Sequence, residues 1–355
     1  MGPAKGLLSR GPRERLRGKE PLPDAPHPRS GAKRTLFIAC LQRSVENYSL
    51  RRFQEAAFAR GHVVLQLNPL NCNLVLDQNG PRIFHERKGY LQGLDAILVR
   101  RGSGITDEEL ALVDHLEGAG FLAINTHTAI GRSRDKFLSY RLLASHGVPV
   151  PKTVHVKTRA GLAEGFRLLG RPPYILKPTR GTHGIGVMLA ESRQSAESIF
   201  DAFSGTTEGL LLQEFIRESR GTDLRVIVVD GHIVGAMRRT AARGEFRANI
   251  HLDASGEPVK LNAKAREIAL KAAQVAGLDV AGVDLIEARR GPLVMELNTS
   301  PGFEGLEKAT GQDIASPIID FVIRRALAHR APASIRGEPF AELADEWPVG
   351  PEESP

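Results

Sequence analysis

Val280-Ala-Gly-Val-Asp-Leu-Ile-Glu287 is followed, after a short turn, by Pro292-Leu-Val-Met-Glu-Leu-Asn-Thr-Ser-Pro-Gly302. Both segments are apolar and alternating, which predicts a hairpin of two buried strands. Asp284 nevertheless lies in the first segment, and Glu296 and Asn298 lie in the second, where a period of two places them on one face. A carboxylate in a buried strand is costly unless a cation or a hydrogen-bond donor satisfies it.

These polar residues predict a metal site on the hairpin. Two carboxylates and an amide oxygen are hard ligands, which suit Mg²⁺ or Mn²⁺ better than zinc. The hairpin alone also permits a plainer interpretation, in which both acids face water from an edge strand. The residues that surround the hairpin in the sequence favour the metal site.

The bulk composition is that of a soluble globular protein. The chain has 355 residues, of which 41% are hydrophobic and 25% charged. No apolar run is long enough to span a membrane, and the first residues lack the apolar centre of a signal peptide. Only Cys40 and Cys72 could form a disulfide, so we expect no disulfide framework, a cytoplasmic location and no membrane partner.

The charge is concentrated at the two ends of the chain. Residues 1–34 contain nine Lys or Arg and three acids, whereas residues 331–355 contain one Arg and six acids. Both ends lack an apolar pattern, which predicts a disordered basic tail over 1–33 and a disordered acidic tail over 331–355. The basic tail could contact RNA weakly through charge alone, and a solvated extension with no partner is an equally open alternative.

Alternating strand and helix patterns follow the basic tail. Strands at 35–40, 63–67 and 96–99, with a helix at 50–60, predict a doubly wound α/β domain over residues 34–125. Later patterns predict strands and helices in mixed order, including a helix from Ala263 to Ala276 that ends at Gly277. The fold class is therefore α/β in the first domain and α+β beyond it.

A lysine and a glycine-rich loop are typical of phosphate binding. Lys177 ends a predicted strand and is followed by the loop Gly181-Thr-His-Gly-Ile-Gly186, whose backbone N–H groups could cradle phosphates. Lys136 follows Asp135 at the start of a predicted helix, where an anion is also favoured. With the metal carboxylates downstream, these residues predict a site that aligns a triphosphate for transfer of its γ-phosphoryl group.

Arg247 and Asn249 precede the hairpin in the sequence. An arginine facing the reacting phosphate would stabilise developing charge. A surface arginine in a loop is an equally open interpretation of Arg247 from its spacing alone.

The set of motifs resembles the ATP-grasp ligases and, more closely, the RimK-type α-L-glutamate ligases, over residues from about 35 to 328. The resemblance rests on the following segments: Asp135-Lys136, Lys177 with Gly181–Gly186, Gln213-Glu-Phe-Ile216, Asp223-Leu-Arg225, Phe246-Arg-Ala-Asn249, Val280–Asp284 and Glu296–Gly302. It implies an ATP-grasp fold behind an N-terminal pre-ATP-grasp domain at 34–125. The implied sub-domains are a central one at 126–216 that carries the glycine-rich loop and a C-terminal one at 217–330 that carries the metal site.

The resemblance also implies a role for each matching residue. ATP would be bound by Lys136, Lys177, Gly181, Thr182, Gly184, Gly186, Glu214, Phe215, Asp223, Arg247 and Asn249. Glu214 and Phe215 would hold the adenine and Asp223 the ribose, while the glycine-rich loop would close over the phosphates. Arg247 and Asn249 would be catalytic, at the γ-phosphate and the acyl-phosphate. Two Mg²⁺ or Mn²⁺ ions would be bound by Asp284, Glu296 and Asn298, with Glu296 bridging them.

The implied reaction adds L-glutamate, through an acyl-phosphate, to the C-terminal carboxylate of a protein, a small-subunit ribosomal protein in the RimK branch. A homo-oligomer is also expected. Both substrates carry carboxylates, and four arginines are candidates to bind them: Arg100, Arg101, Arg238 and Arg239.

Three alternatives remain open from the sequence. The first keeps ATP-grasp ligation but joins glutamate, or another amino acid, to a small-molecule or peptide carboxylate. The second is a phosphotransferase that stops after phosphoryl transfer. The third is a non-catalytic nucleotide-binding module, which the presence of Lys177 and of all three metal ligands disfavours.

Overall fold

The computed structural model describes residues 34–44, 47–181, 186–203, 209–242, 246 and 255–337. None of the helices described is both long enough and apolar enough to cross a membrane. The N-terminal domain contains β1 (Phe37–Leu41), α1 (Tyr48–Phe58), β2 (Val63–Leu67), β3 (Cys72–Asp77), β4 (Gly80–His85), β5 (Gly89–Tyr90), β6 (Ala96–Val99), α2 (Asp107–Gly118), β7 (Ala123–Ile124) and α3 (His127–Arg134).

The N-terminal domain is built on a parallel sheet with the strand order β2-β1-β6-β7. Alternate residues of β1 enter different cores, because successive side chains of a strand point to opposite faces. Ile38 and Cys40 pack with α1, whereas Ala39 and Leu41 pack with α2. Helices therefore cover both faces of the sheet, which confirms the predicted doubly wound arrangement.

A small antiparallel sheet, β3-β4-β5, was not predicted from the sequence. Its strands lack a clean buried alternation, since Leu74, Leu76 and Phe84 are all exposed. The signal by which buried strands are recognised in a sequence is therefore absent from this segment.

The central part of the chain contains α4 (Lys136–Ser145), β8 (Thr153–Val156), α5 (Arg159–Leu169), β9 (Tyr174–Pro178), β10 (Met188–Ala190), α6 (Arg193–Phe203) and β11 (Leu210–Glu214). Its strands form an antiparallel sheet in the order β10-β9-β11-β8, whose apolar residues share a core with α5 and α6. Helix α4 instead packs Leu143 into the core of the next sheet. By packing, α4 therefore belongs with the C-terminal part and not with the central sheet that follows it in sequence.

The C-terminal part contains β12 (Thr222–Val229), β13 (His232–Thr240), β14 (Ser255–Pro258), α7 (Ala263–Ala276), β15 (Val280–Ala288), β16 (Gly291–Asn298), α8 (Glu304–Thr310) and α9 (Ala315–Ala328). Its antiparallel sheet has the order β14-β13-β12-β15-β16. Helix α7 begins after the N-cap Asn262 and ends at Gly277, whose φ of 71° is the left-handed conformation that glycine adopts at little cost. The predicted bounds of α7 are confirmed.

Buried groups join the N-terminal domain to the C-terminal sheet. Asn125 donates to the carbonyl oxygens of Val280 and Thr299, each over 2.8 Å, and accepts from the Val280 N–H. The apolar core beneath β1 and α1 also includes Phe303 and the inner face of α9. The loops at the carboxyl ends of β1 and β6 are thereby held against the segment that follows β16.

The ordered chain continues past residue 330, where the acidic tail was predicted to begin. A short 3₁₀ helix spans Ala333–Ile335, and Ile335 is buried in the core of the N-terminal domain. This part of the prediction is wrong, because one apolar side chain is too weak a pattern to recognise in an otherwise polar segment. The rest of the two predicted tails, residues 1–33 and 338–355, lies outside the described residues.

Candidate active site

One cavity of about 800 Å³ lies between the three parts of the chain. It is large enough for a nucleotide-sized ligand together with part of a second substrate. We call its two charged sides the C-terminal wall, formed by β12, β13, β15 and β16, and the N-terminal wall, formed by the start of α1 and the loop after β6. The C-terminal wall includes Asp223, Arg225, Arg239, Asp284 and Glu296, and the N-terminal wall includes Tyr48, Ser49, Arg100 and Arg101.

The hairpin of β15 and β16 places its three polar residues in this cavity. Asp284 stands directly opposite Glu296, while Leu285 stands opposite Val294, so Met295 is the extra residue of a β-bulge. Asp284, Glu296 and Asn298 all line the cavity, as the alternation of the sequence predicts. Because of the bulge, Met295 lines the cavity as well as Glu296. With period-two alternation alone, Met295 would point to the opposite face of the sheet.

Asp284 is buried and is satisfied by two guanidinium groups. Arg225 is its cross-strand neighbour on β12 and forms a two-pronged ion pair with it, in which Nη2 donates to Oδ2 over 2.8 Å. Arg239 Nη2 lies 3.0 Å from the same Oδ2. Sequence analysis assigned Arg239 to substrate binding and gave Arg225 no role, because the register that brings β12 against β15 is not visible in the sequence.

Asp223 is paired with Arg239, its cross-strand neighbour on β13. The guanidinium donates to both carboxylate oxygens, over 2.6 and 2.7 Å, and both side chains are buried. Burial raises the pKa of Asp223 to about 6, against the opposing effect of Arg239. Burial would also raise the pKa of Asp284, but Arg225 and Arg239 outweigh it and lower that pKa to about 2.

The donor set fits a hard divalent cation. Asn298 Nδ2 lies 3.4 Å from Asp284 Oδ2 as a donor, which leaves the amide oxygen free for a cation. Glu296 is only partly buried, and its side chain is 31% exposed toward the cavity. Two carboxylates and an amide oxygen that converge in one cavity are ligands that Mg²⁺ prefers. The roles of Asp284, Glu296 and Asn298 as ligands stay a prediction.

The two predicted phosphate lysines also reach the cavity. Asp135 caps α4 by accepting from the Leu138 N–H over 2.9 Å, which fixes Lys136 in the first turn of the helix. Lys136 Nζ donates to the Gly181 carbonyl over 2.8 Å and lies 3.6 Å from Glu296 Oε1.

Lys177 is buried at the end of β9, and its Nζ donates to the Tyr140 hydroxyl over 2.7 Å. Tyr140 lies one helical turn after Lys136 on α4, and its hydroxyl donates to the Met295 carbonyl. Sequence analysis missed Tyr140. Its position four residues after a predicted phosphate lysine is the signal that could have identified it.

The residues predicted to hold adenine lie where β11 ends. Glu214 and Phe215 both line the cavity. The Glu214 carboxylate forms an ion pair with Arg290 at the β15–β16 turn and accepts from the Lys152 N–H. Glu214 therefore ties the central sheet to the C-terminal hairpin, in addition to its position at the cavity.

Part of the predicted phosphate loop lies outside the described residues. Gly181 and Gly186 are described, and Gly186 has a φ of 76°, which is the left-handed region that favours glycine. Thr182 and Gly184 lie outside the description, as do Arg247 and Asn249. Phe246, immediately before Arg247, lines the cavity.

The four arginines proposed as carboxylate ligands differ in their partners. Arg101 donates to Glu109 over 2.8 Å, Arg238 donates to Glu287 over 2.6 Å, and Arg239 is paired with Asp223. Arg100 has no carboxylate partner among the described residues. Within the described residues, one guanidinium is therefore unpaired and the other three are paired with carboxylates.

Comparison with known proteins agrees with this architecture over most of the chain. A family model described as a RimK-like ATP-grasp domain matches residues 133–322, and a model of the RimK pre-ATP-grasp domain matches residues 36–130. A probable α-L-glutamate ligase from Aeromonas salmonicida is 42% identical over 296 residues, which is 83% of this chain and 99% of that protein. Another from Serratia proteamaculans is 44% identical over 288 residues, or 81% and 96% of the two chains.

Solved structures show the same fold. An ATP-grasp RimK domain protein from Sphaerobacter thermophilus superposes with a TM-score of 0.64 at 23% identity, covering 81% of this chain and 99% of that one. The ATP-grasp ligase PsnB, complexed with a phosphomimetic variant of its minimal precursor, Mg and ADP, gives a TM-score of 0.64 at 20% identity, covering 82% and 99%. The predicted ATP-grasp fold with its pre-ATP-grasp domain is confirmed.

Proposed function

The chain belongs to the RimK-like ATP-grasp family of α-L-glutamate ligases, and from that premise we propose that it adds L-glutamate to the C-terminal carboxylate of a small-subunit ribosomal protein. As a member of this family it is an ATP-dependent carbon–nitrogen ligase. The observation that carries the proposal is the cavity, in which two lysines and a set of hard oxygen donors face an unpaired arginine. Such a cavity suits one polyanionic nucleotide and a second substrate that bears carboxylates.

The reaction follows from the poor reactivity of a carboxylate toward an amine. An oxygen of the acceptor carboxylate attacks the γ-phosphorus of ATP, the bond to the β-phosphate oxygen breaks, and ADP leaves. The α-amine of glutamate then attacks the acyl-phosphate carbonyl, loses a proton, and expels inorganic phosphate as the amide forms. No covalent enzyme intermediate is required, so the protein acts through positioning, charge and exclusion of water.

The lysines would bind the phosphates of ATP. Lys177 is held by Tyr140 and Lys136 by the Gly181 carbonyl, so both ammonium groups are positioned before the nucleotide arrives. Preorganised cations of this kind stabilise developing charge at little reorganisation cost. Arg247 and Asn249 would complete the site beside the γ-phosphate and the acyl-phosphate.

Asp284, Glu296 and Asn298 would hold two Mg²⁺ or Mn²⁺ ions. When bound, the ions would supply positive charge to the phosphate oxygens. The chain's own contribution is the orientation of the ligands, since Arg225 and Arg239 fix the Asp284 carboxylate in its place.

Glu214 and Phe215 would hold the adenine at the end of β11. Asp223 would accept hydrogen bonds from the ribose hydroxyls. Because its carboxylate is paired with Arg239, this role requires the ribose to share Asp223 with the guanidinium, and a carboxylate has enough lone pairs for both. The loop between Gly181 and Gly186 would close over the phosphates and protect the acyl-phosphate from water.

The proposed acceptor also gives the basic N-terminal segment a role. A ribosomal protein is surrounded by RNA, and the excess of Lys and Arg in residues 1–34 would attract that anionic surface. We place the reaction in the cytoplasm, where ribosomes and ATP occur together, and extend the proposal to a homo-oligomer. Rising salt should then weaken ligation to intact small subunits more than ligation to a free peptide.

A second candidate keeps the chemistry and changes the acceptor to a peptide or a small molecule. Structural relatives support it, since PsnB was solved with its precursor and the macrocyclase MdnC was solved with its precursor peptide. The chemistry of the cavity does not identify the acceptor, because specificity lies in pocket details.

The test is to incubate the full chain with ATP, Mg²⁺, glutamate and a small-subunit ribosomal fraction, and to measure intact protein masses. We expect one protein to gain one or more glutamyl units only when ATP is present. ATP consumption without any protein mass shift would overturn the ribosomal acceptor and favour the second candidate. A mass shift that persists without glutamate would overturn glutamate ligation.

A further inference from the structure

Arg100 occupies a position where α/β sheets commonly bind ligands. It directly follows β6, so it lies at the carboxyl edge of the parallel sheet of the N-terminal domain and lines the cavity. The side chain is only partly exposed, and it lines the same cavity as the residues of the C-terminal wall.

Among the described residues, none of the contacts of Arg100 carries a negative charge. Its Nη2 donates to the Pro301 carbonyl over 2.8 Å and lies 3.4 Å from the Ser49 hydroxyl. Its guanidinium carbon lies 5.4 Å from the ring centroid of Phe53 and 6.0 Å from that of Phe303. These contacts position the guanidinium and leave its charge unneutralised, since carbonyl and ring interactions carry no net charge.

The other guanidiniums of the cavity that are not exposed are each paired with a carboxylate within the described chain. Arg101 is paired with Glu109, Arg225 with Asp284 and Arg239 with Asp223. Burial lowers the pKa of Arg100 to about 10, which still leaves the group protonated at neutral pH. A desolvated cation without a counter-ion is costly, so the site is complete only when a substrate supplies the anion.

The reaction itself identifies which anion that is, if the proposed function is correct. It involves three carboxylates, and the acceptor carboxylate would become the acyl-phosphate beside Lys177 and Glu296. The two that remain, α and γ, both belong to glutamate. Pro301, to which Arg100 donates, lies three residues after the predicted metal ligand Asn298, so Arg100 is held beside the segment that leads to the reacting groups.

We propose that Arg100 binds a carboxylate of the incoming glutamate and so positions this substrate in the cavity. The proposal rests on the proposed function. The planar fork of the guanidinium has donors to spare after the bond to Pro301 and is suited to a two-pronged interaction with a carboxylate.

The test uses the full-length enzyme with the Arg100→Met and Arg100→Lys variants and follows ligation at varied glutamate, ATP and acceptor. Arg43→Met serves as the matched control, because it also removes an arginine of the N-terminal domain and leaves Glu109 paired with Arg101. Arg100→Met should raise the KM for glutamate about 10- to 100-fold, which is the usual loss for a hydrogen-bonded charge pair. Arg100→Lys should show a smaller rise, and Arg43→Met should show none.

The KM values for ATP and acceptor should stay within about threefold of wild type, as should kcat. A merely structural role would instead change all three KM values, or it would lower the unfolding temperature without a selective rise in the KM for glutamate. If Arg100→Met does not fold, the Arg100→Lys variant decides the question. A glutamate KM unchanged in the folded variants overturns the proposal.

Two substrate analogues distinguish the carboxylates. If Arg100 binds the γ-carboxylate, wild type should reject glutamine and Arg100→Met should lose that discrimination. If it binds the α-carboxylate, wild type should reject isoglutamine, which has an amide in place of that carboxylate, and Arg100→Met should lose that discrimination. A wild-type enzyme that incorporates no glutamate overturns the proposed function, whereas normal incorporation with an unchanged KM in the variants overturns only the role of Arg100.

Discussion

The two walls of the cavity differ in how their charges are balanced. On the C-terminal wall each acid is matched by a cation within the chain. Asp223 is paired with Arg239, Asp284 with Arg225 and Arg239, and Glu296 with Lys136. On the N-terminal wall Arg100 has no acid among the described residues, although Arg101 beside it has Glu109.

This difference has a consequence for what each wall can bind. The C-terminal wall has no net charge from these groups, so metal ions and the nucleotide that enter there would have to balance each other's charge. The N-terminal wall has a surplus positive charge among its described residues, and this charge would attract an anion. One wall is therefore suited to the metal–nucleotide pair and the other to an acidic substrate.

Breaking the C-terminal wall at Glu296 should have the largest effect. Glu296→Gln removes the charge of the proposed bridging ligand, and we expect kcat to fall at least about 10³-fold, since the phosphoryl-transfer step depends on charge stabilisation. Initial rates of ATP-dependent glutamate incorporation measure this. Glu267→Gln, on the exposed face of α7, is the control and should be silent; near-normal turnover of Glu296→Gln would contradict the metal assignment.

Arg239→Met should destabilise the fold more than any change on the N-terminal wall. It would leave Asp223 and Asp284 buried with one guanidinium between them, a loss that costs about 3–5 kcal/mol of unfolding free energy. Arg100→Met leaves no unpaired acid, so its cost should be much smaller. Denaturant titration of both variants checks the contrast, and a double variant Arg239→Met/Asp223→Asn should recover part of the loss. Equal stability of the two single variants would contradict the difference between the walls.

Lys177→Met should weaken nucleotide binding about 100-fold, because a charge-assisted contact to phosphate contributes roughly 1.5–3 kcal/mol. Tyr140→Phe removes the hydroxyl that holds the ammonium and should produce a smaller loss in the same direction. Calorimetric titration with a non-hydrolysable ATP analogue and Mg²⁺ measures both. Unchanged affinity in Lys177→Met would exclude its role as a phosphate ligand.

The smallest expected effect concerns the junction that holds the two walls together. Glu307 on α8 accepts from Arg52 over 2.9 Å and from Tyr48 over 2.6 Å, both on α1. Although burial alone would raise the pKa of Glu307, these donors and two backbone N–H groups lower it. A lowered carboxyl pKa means that the stabilisation is fully present above the unfolded value, near 4.5, and is lost as the pH falls below it.

The free energy of unfolding should therefore decrease as the pH falls below about 4.5, and Glu307→Gln should flatten that decrease. Urea titrations across this pH range measure the slope. A Glu307→Gln variant with the wild-type slope would show that the junction does not depend on this carboxylate.

Local sequence patterns predicted the parts of the molecule that depend on near neighbours. The α7 helix from Ala263 to Ala276 has its N-cap, apolar stripe and terminal glycine within one segment, and its bounds were predicted correctly. The same holds for β15 and β16 and for the shared face of Glu296 and Asn298.

What could not be predicted depends on register between distant strands. Arg225 faces Asp284, and Asp223 faces Arg239, only because β12 pairs with β15 and β13 at particular offsets. Arg100 and Arg101 are neighbours of identical type, and only the tertiary structure shows that one is neutralised and the other is not. The sequence therefore proposed four arginines as carboxylate ligands and had no means of ranking them.

The central claim is that this cavity activates a carboxylate by phosphorylation, so that an amine can displace phosphate. The most direct measurement uses an acceptor whose C-terminal carboxylate carries ¹⁸O, chosen from the protein or peptide that gains mass in the ligation assay. We predict that each ligation event transfers one ¹⁸O atom to inorganic phosphate, detected by mass spectrometry. Inorganic phosphate free of ¹⁸O, or release of labelled AMP, would contradict the account.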